Sequence, residues 1–179
     1  MKIQRTLYLL MLISLYPLVP VTAQMMSPIT TRIARAIRYK EPSWQYSAGH
    51  CTCPPLVPSQ ISHDVGDWER KDKSGNREFV NMDIYRIKSL DEVTGWMAQF
   101  ARPRQTGGRC QVEPYPIGDE GYLYKCPTSY KSLVYFRKGH LIVHVKGDSE
   151  MIVQRFARYS VRLLATTGQQ TKPKYAAQY

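Results

Sequence analysis

Three residues that can do chemistry stand close together near position 50. His50, Cys51 and Cys53 occur within four positions, and Pro54 and Pro55 follow directly. An imidazole and two thiols could together hold a metal ion. Alternatively, one thiol could be a reactive thiolate, or the two thiols could form a structural disulfide. The surrounding elements, and the compartment in which the chain folds, decide between these interpretations.

The spacing of these two cysteines favours a disulfide over a metal site. Structural zinc sites usually separate paired thiolates by two to four residues and add a second pair of ligands. Here one residue separates Cys51 from Cys53, and the nearby nitrogen donors are His50 and His63. In an extended chain the two Cα atoms would lie about 6.6 Å apart, so a bridge needs a local bend. A metal site and free or exchanging thiols stay open as alternatives.

The other two cysteines are predicted to form a second disulfide. Cys110 and Cys126 are equidistant from Gly118, which lies in a turn rich in Pro and Gly. If 110–115 and 121–126 pair as a hairpin about this turn, the two thiols face each other. Closing that loop would stabilise the fold by about 3 kcal/mol in the chain-entropy model. Four cysteines in two bridges are typical of a protein that folds in an oxidising compartment.

The first 23 residues have the layout of a secretory signal peptide. Lys2 and Arg5 precede an uncharged run at 7–21, and Ala23 ends a small-residue cleavage site. The run is short for a membrane span, which needs about 20 apolar residues. We therefore predict cleavage after Ala23, a mature chain without a transmembrane anchor, and export to the periplasm or the extracellular space.

The sequence after residue 23 predicts one domain flanked by two short segments. We expect an N-terminal helix or arm at 24–41, a single α+β domain at 42–166 and a disordered polar tail at 167–179. Ser27 can cap the first helix, and Pro28 suits its first position. The tail is polar and terminal, which is typical of disorder.

The element pattern inside the domain favours an antiparallel sheet. The stretch at 42–78 is rich in Pro and Gly, which indicates mostly loop with one strand. Alternating apolar residues from Phe79 predict a half-buried strand, and Ser89 with Glu92 predicts a helix that opens with a capping box. Four strands joined by short loops and a final helix follow. We therefore expect an α+β fold, with about five to six strands and helices packed on one face.

The charge balance indicates an anionic partner. The full chain carries a net charge of +11, and removing the leader with its two cations leaves +9. Acidic glycans, anionic lipids and nucleic acids attract such a surface, as would an acidic envelope protein. A generally basic, solvated surface is the alternative interpretation. The candidate binding residues lie on the final helix and on a strand turn: Arg155, Arg158, Arg162, Arg137 and Lys138.

Catalytic motifs are not apparent in the sequence. A nucleophile elbow, a phosphate-cradling glycine loop and a zinc-protease helix are all missing from it. We therefore predict a non-enzymatic binding protein with no catalytic residue, metal or cofactor. The alternative is a thiol–disulfide or metal-dependent envelope enzyme centred on His50, Cys51 and Cys53.

Several short segments together resemble an uncharacterised family of exported bacterial domains. The resemblance covers 43–165 and implies export and a single domain. It implies no activity and no catalytic residue. The pair Cys110 and Cys126 lies outside the pattern. The matching segments are CTCPP (51–55), DWERKD (67–72), DIYRI (83–87), WMAQF (96–100), IGDEGYLY (117–124), FRKGHLIVHV (136–145) and RFARY (155–159).

Overall fold

A computed structural model describes the chain over four stretches. These are residues 28–49, 51–101, 110–126 and 132–167. The predicted signal peptide, His50 and the tail from residue 168 lie outside the described residues, so the predictions that concern them stay predictions.

The described residues form three helices and seven strands. The helices are α1 (Pro28–Lys40), α2 (Leu90–Phe100) and α3 (Glu150–Thr167). The strands are β1 (Gln45–Gly49), β2 (Gln60–Lys71), β3 (Arg77–Ile87), β4 (Gln111–Pro114), β5 (Glu120–Lys125), β6 (Ser132–Lys138) and β7 (Leu141–Gly147).

All seven strands belong to one antiparallel sheet in the order β1-β2-β3-β7-β6-β5-β4. Two meanders, β1 to β3 and β4 to β7, therefore join where β3 pairs with β7. The predicted α+β class and antiparallel sheet are confirmed, with seven strands in the described chain where five to six were expected. The additional strand pairing is that of β1 with the long β2. Both strands lie within 42–78, where the composition indicated mostly loop.

A tight turn joins β2 to β3 and fixes their register. The carboxylate of Asp72 accepts hydrogen bonds from the backbone N–H groups of Ser74 and Asn76, each at 2.8 Å. These bonds lower the pKa of Asp72, and the N–H of Asn76 contributes most. Gly75 has a φ of 83°, which a side chain disfavours. The turn places Lys71 opposite Arg77 and so aligns the longest pair of strands.

Helices α1 and α3 cover one face of the sheet. Alternate residues of β3, such as Met82, point to this face and are fully buried beneath the helices. Ile33 of α1 and Phe156 of α3 are also fully buried there. The Phe156 ring makes edge contacts with Trp44 and Trp68 at centroid distances of 5.0 and 5.6 Å. This aromatic cluster joins the helices to the β1–β2 side of the sheet.

Helix α2 packs on the opposite face, so the helices do not all share one side. Met97 and Phe100 pack with Tyr135 and Ile142, which point away from α1 and α3. Strands β6 and β7 carry large buried residues at successive positions, so both of their faces need a cover. A strand with one buried face would alternate buried and exposed residues instead.

The start of α2 has one of the two contacts of the predicted capping box. Ser89 accepts a hydrogen bond from the N–H of Glu92 at 3.2 Å, as an N-cap does. The carboxylate of Glu92 does not return to Ser89. It accepts hydrogen bonds from the backbone N–H and the hydroxyl of Ser59, at 3.1 and 2.6 Å. Glu92 thereby ties the proline-rich loop that follows Cys53 to α2.

Candidate functional site

Two of the predicted binding residues, Arg137 and Lys138, are paired with carboxylates. Arg137 donates to Glu120 at 3.0 Å, and Lys138 donates to Asp119 at 2.6 Å. Asp119 also accepts from the backbone N–H of Gly139 at 2.7 Å. Burial alone would raise the pKa of Asp119, but these donors and cations lower it below its usual range. The turn between β6 and β7 therefore carries little unbalanced positive charge.

The three candidates on α3 differ in their surroundings. Arg155 forms an ion pair with Glu41 at 2.7 Å. Arg158 donates to the hydroxyl of Tyr115 at 3.1 Å, and Arg162 is exposed. The Arg137 side chain points to the face opposite α3, whereas Lys138 lies on the same face as α3, at the β6–β7 turn. Arg158 and Arg162 keep an exposed charge without a carboxylate partner among the described residues.

Helix α1 adds further exposed cations to this face. It carries four cationic residues and no acid, and α3 carries three arginines and one acid. Arg35 and Arg38 are exposed and have no carboxylate partner within the described residues. These four arginines, Arg35, Arg38, Arg158 and Arg162, are together called the helix patch; the first two lie beside the edge strand β1, and Arg158 contacts Tyr115 towards the other edge of the sheet. In the sequence of α1, Ile29, Ile33 and Ile37 recur every four residues and predict an apolar stripe that excludes the arginines of this helix, but α1 was not among the binding candidates.

A cavity of about 450 Å³ opens where α1 passes the edge strand β1. Thr31, Ala34, Arg35 and Arg38 line it from α1, at positions i, i+3, i+4 and i+7 of one helical stripe. Ala34 has the smallest side chain of this stripe, which leaves room beneath the two guanidinium groups. The remaining lining residues are Pro42, Trp44, Gln45, Tyr46 and Trp68.

Aromatic rings form the inner wall of this cavity. The rings of Tyr46 and Trp68 lie 5.0 Å apart, and Arg70 stacks over Trp44 at 4.7 Å. Gly66 permits the rings of Tyr46 and Trp68 to lie close together, because a Cβ at position 66 would meet the Trp68 ring at 2.7 Å. The indole N–H of Trp68 is a buried donor with no acceptor in the described part of the chain. Burial raises the pKa of Tyr46, so its hydroxyl stays neutral.

Both cysteine pairs form disulfides in the structure. Cys110 and Cys126 have Cα atoms 4.2 Å apart, next to the paired residues Gln111 and Lys125. Cys51 and Cys53 are bridged with Cα atoms 5.1 Å apart, which is the local bend that the sequence required.

Neither member of the Cys51–Cys53 pair is a free thiolate in this form. No group of three or more potential metal ligands occurs among the described residues. His63, one of the nitrogen donors considered for a metal site near these cysteines, bonds to Asp83 instead.

A second polar cluster lies on the face opposite α1 and α3. The buried carboxylate of Asp83 accepts from His63 at 2.9 Å and pairs with Lys146 at 3.1 Å. Nearby, Asn81 donates to Asp67 at 2.8 Å. Burial would raise the pKa of Asp83, but His63 and Lys146 lower it below its usual range. A carboxylate that orients an imidazole can support acid–base chemistry, but its ammonium partner makes this cluster equally suited to structural charge balance.

His144 lies beside this cluster in an aromatic environment. Its ring stacks on Trp96 at 5.4 Å and meets the edge of Tyr135 at 4.2 Å. Tyr85 lies between the two histidines, stacking on His63 at 4.2 Å and contacting His144 at 5.0 Å. Burial and the charge of Asp83 raise the pKa of Tyr85. These contacts place His144 in the core, whereas His140 is exposed.

Comparisons with known proteins do not identify this chain. No family model, curated protein or solved structure matches it. Within the described residues, no helix is long and apolar enough to cross a membrane.

Proposed function

We propose that this protein is an exported, non-enzymatic binding domain that recognises an anionic partner of the cell envelope or the extracellular space through the helix patch. The observation that carries the proposal is the uneven distribution of charge. Helices α1 and α3 together hold seven of the 25 cationic residues and one of the 14 acidic ones. Both helices lie on the same face of the sheet.

The four arginines of the helix patch are suited to binding because no carboxylate in the described stretches offsets their charge. An exposed cation that already pairs with an acid must lose that partner before it binds another, which reduces the net gain. Arg137 and Lys138 are in that situation, since Glu120 and Asp119 hold them. We therefore assign binding to α1 and α3 rather than to the β6–β7 turn.

The two disulfides and the layout of the N-terminus support export. Disulfides persist in oxidising compartments and are rare in the cytosol. In those compartments the accessible polyanions are acidic glycans and the anionic groups of lipids. An acidic glycan, whose carboxylates arginine can bind through paired hydrogen bonds, is the partner chemistry that we propose.

The test is the salt dependence of binding to a heparin oligosaccharide. Counterion release makes the logarithm of affinity fall linearly with the logarithm of salt concentration. Replacing the helix patch by glutamine (R35Q/R38Q/R158Q/R162Q) should weaken binding and reduce that slope, by roughly one unit for each arginine that pairs with an anionic group of the glycan. The variant removes exposed side chains and should leave the thermal midpoint nearly unchanged.

A matched control variant distinguishes binding by the helix patch from attraction caused by the net charge of the protein. Arg86 and Lys88 are exposed and have no carboxylate partner in the described stretches. R86Q/K88Q removes as much charge as R35Q/R38Q but leaves both helices intact. If these two double variants lose affinity equally, the binding reflects net charge alone and the proposal is wrong.

A further inference from the structure

We propose that the cavity between α1 and β1 is a ligand subsite for a carboxylate carried on a six-membered ring. This inference rests on the proposed function and names the group that the helix patch would select. The volume of about 450 Å³ falls in the range of small-molecule sites, roughly 300–1,000 Å³. It is large enough for one sugar or one benzene ring with its substituents.

Tyr46 supplies the surface that a ring requires, because its side chain is half-buried, whereas Trp44 and Trp68 behind it are only 3% and 1% exposed. Trp44, Tyr46 and Trp68 are rigid side chains that contact one another or the Phe156 ring, so their positions do not depend on a ligand. Aromatic faces bind both aromatic rings and the apolar faces of sugars. Trp44 is further held by its indole N–H, which donates to Glu41 at 3.3 Å. The wall is therefore formed before a ligand arrives, which lowers the entropic cost of binding.

The mouth supplies the charge that selects an acid. Arg35 and Arg38 are three residues apart on α1, so both side chains extend from the same side of the helix. Both line the cavity and neither has a carboxylate partner among the described residues. A guanidinium group presents two parallel N–H donors that match the two oxygens of a carboxylate. A ring against Tyr46 would hold its carboxylate at these arginines.

The two sources of such a group are a free aromatic acid and a uronic acid of a glycan. Titration calorimetry on the mature, oxidised protein distinguishes them. Benzoate and glucuronate are the probes, and benzamide and glucose are their uncharged counterparts. We expect at least one acid to bind and its uncharged counterpart to bind on the order of tenfold more weakly or not at all. If both acids fail to bind, the inference is overturned.

Two variants locate the binding. R35Q/R38Q should weaken acid binding by on the order of tenfold or more, and R86Q/K88Q should leave it unchanged. A34F should fill the cavity and abolish acid binding while it keeps every charge of the helix patch. Equal acid binding by A34F and the parent protein would overturn the inference.

A measurement without mutation guards against a folding defect in A34F. Trp44 and Trp68 line the cavity, whereas Trp96 lies on α2 across the sheet. Adding the acid should therefore shift the indole N–H resonances of Trp44 and Trp68 and leave that of Trp96 in place. A shift confined to Trp96 would contradict the assignment.

The results separate this inference from the proposed function. Heparin binding that depends on the helix patch, without binding of either acid, overturns the subsite and leaves the proposed function standing. Acid binding that A34F abolishes, without any heparin binding, supports the subsite and contradicts recognition of a polyanion.

Discussion

The two disulfides should differ in what they contribute to stability, because they close loops of very different length. Cys110 and Cys126 are 16 positions apart, whereas Cys51 and Cys53 are two apart. The chain-entropy model gives about 3 kcal/mol for the longer loop and about 1.5 kcal/mol for the shorter one. The longer bridge also ties β4 to β5, and β5 is the only neighbour of that edge strand in the described sheet.

The comparison requires two double variants, C110A/C126A and C51A/C53A. Urea unfolding under non-oxidising conditions gives the free energy of unfolding for each. With a slope of about 2 kcal/mol/M, the C110A/C126A midpoint should lie about 0.8 M below that of C51A/C53A. The loss of side-chain packing should lower the C110A/C126A midpoint further, because Cys110 and Cys126 contact the core cluster beneath α2. Equal midpoints, or the reverse order, would refute this reasoning.

Two further predictions concern single residues. D83N should lower the free energy of unfolding by about 1–3 kcal/mol at pH 6, because His63 and Lys146 lose a buried carboxylate partner. Since the folded-state pKa of Asp83 is lowered, its contribution is present above about pH 4 and is lost as the pH falls through that pKa. The difference between D83N and the parent protein in urea unfolding should therefore shrink from pH 5 to pH 3, and a constant difference would contradict the assignment. S89A should destabilise the protein by about 1 kcal/mol, because the N–H of Glu92 loses its acceptor; S47A, at an exposed strand position, is the control and should change stability by less than about 0.5 kcal/mol.

The features that were predictable from sequence depend on local chemistry. The pairing of Cys110 with Cys126 follows from a turn placed midway between them. Gly118 of that turn has a φ of 67°, and the carbonyl oxygen of Arg137 leaves no room for a Cβ there. The turn at Asp72 and the Ser89 cap were likewise predictable, since each is formed within five residues.

The features that were missed depend on pairing between distant segments. β1 has little apolar periodicity because most of its side chains are exposed, and it becomes a strand by pairing with β2. Glu92 bonds to Ser59, which lies 33 positions away, in place of the expected return to Ser89. His63 and Asp83 are 20 positions apart and meet across neighbouring strands.

The cavity was missed for a related physical reason. It exists because α1 packs on α3 and β2 and leaves Ala34 lining a space beside β1, and neither sequence segment shows this alone. Arg35 and Arg38 were visible as the polar side of an amphipathic helix, which is usually a solvated face. Only the packing of α1 on the sheet shows that these two arginines line the same cavity as Tyr46.

The central claim is that the helix patch, and not the protein's net charge in general, meets the anionic partner. The most direct measurement is a backbone amide chemical-shift titration of the mature protein with a heparin oligosaccharide. We predict that the largest shifts fall in α1 and α3, around Arg35, Arg38, Arg158 and Arg162. Largest shifts in the β6–β7 turn at Arg137 and Lys138, or weak shifts spread evenly over the surface, would contradict the claim.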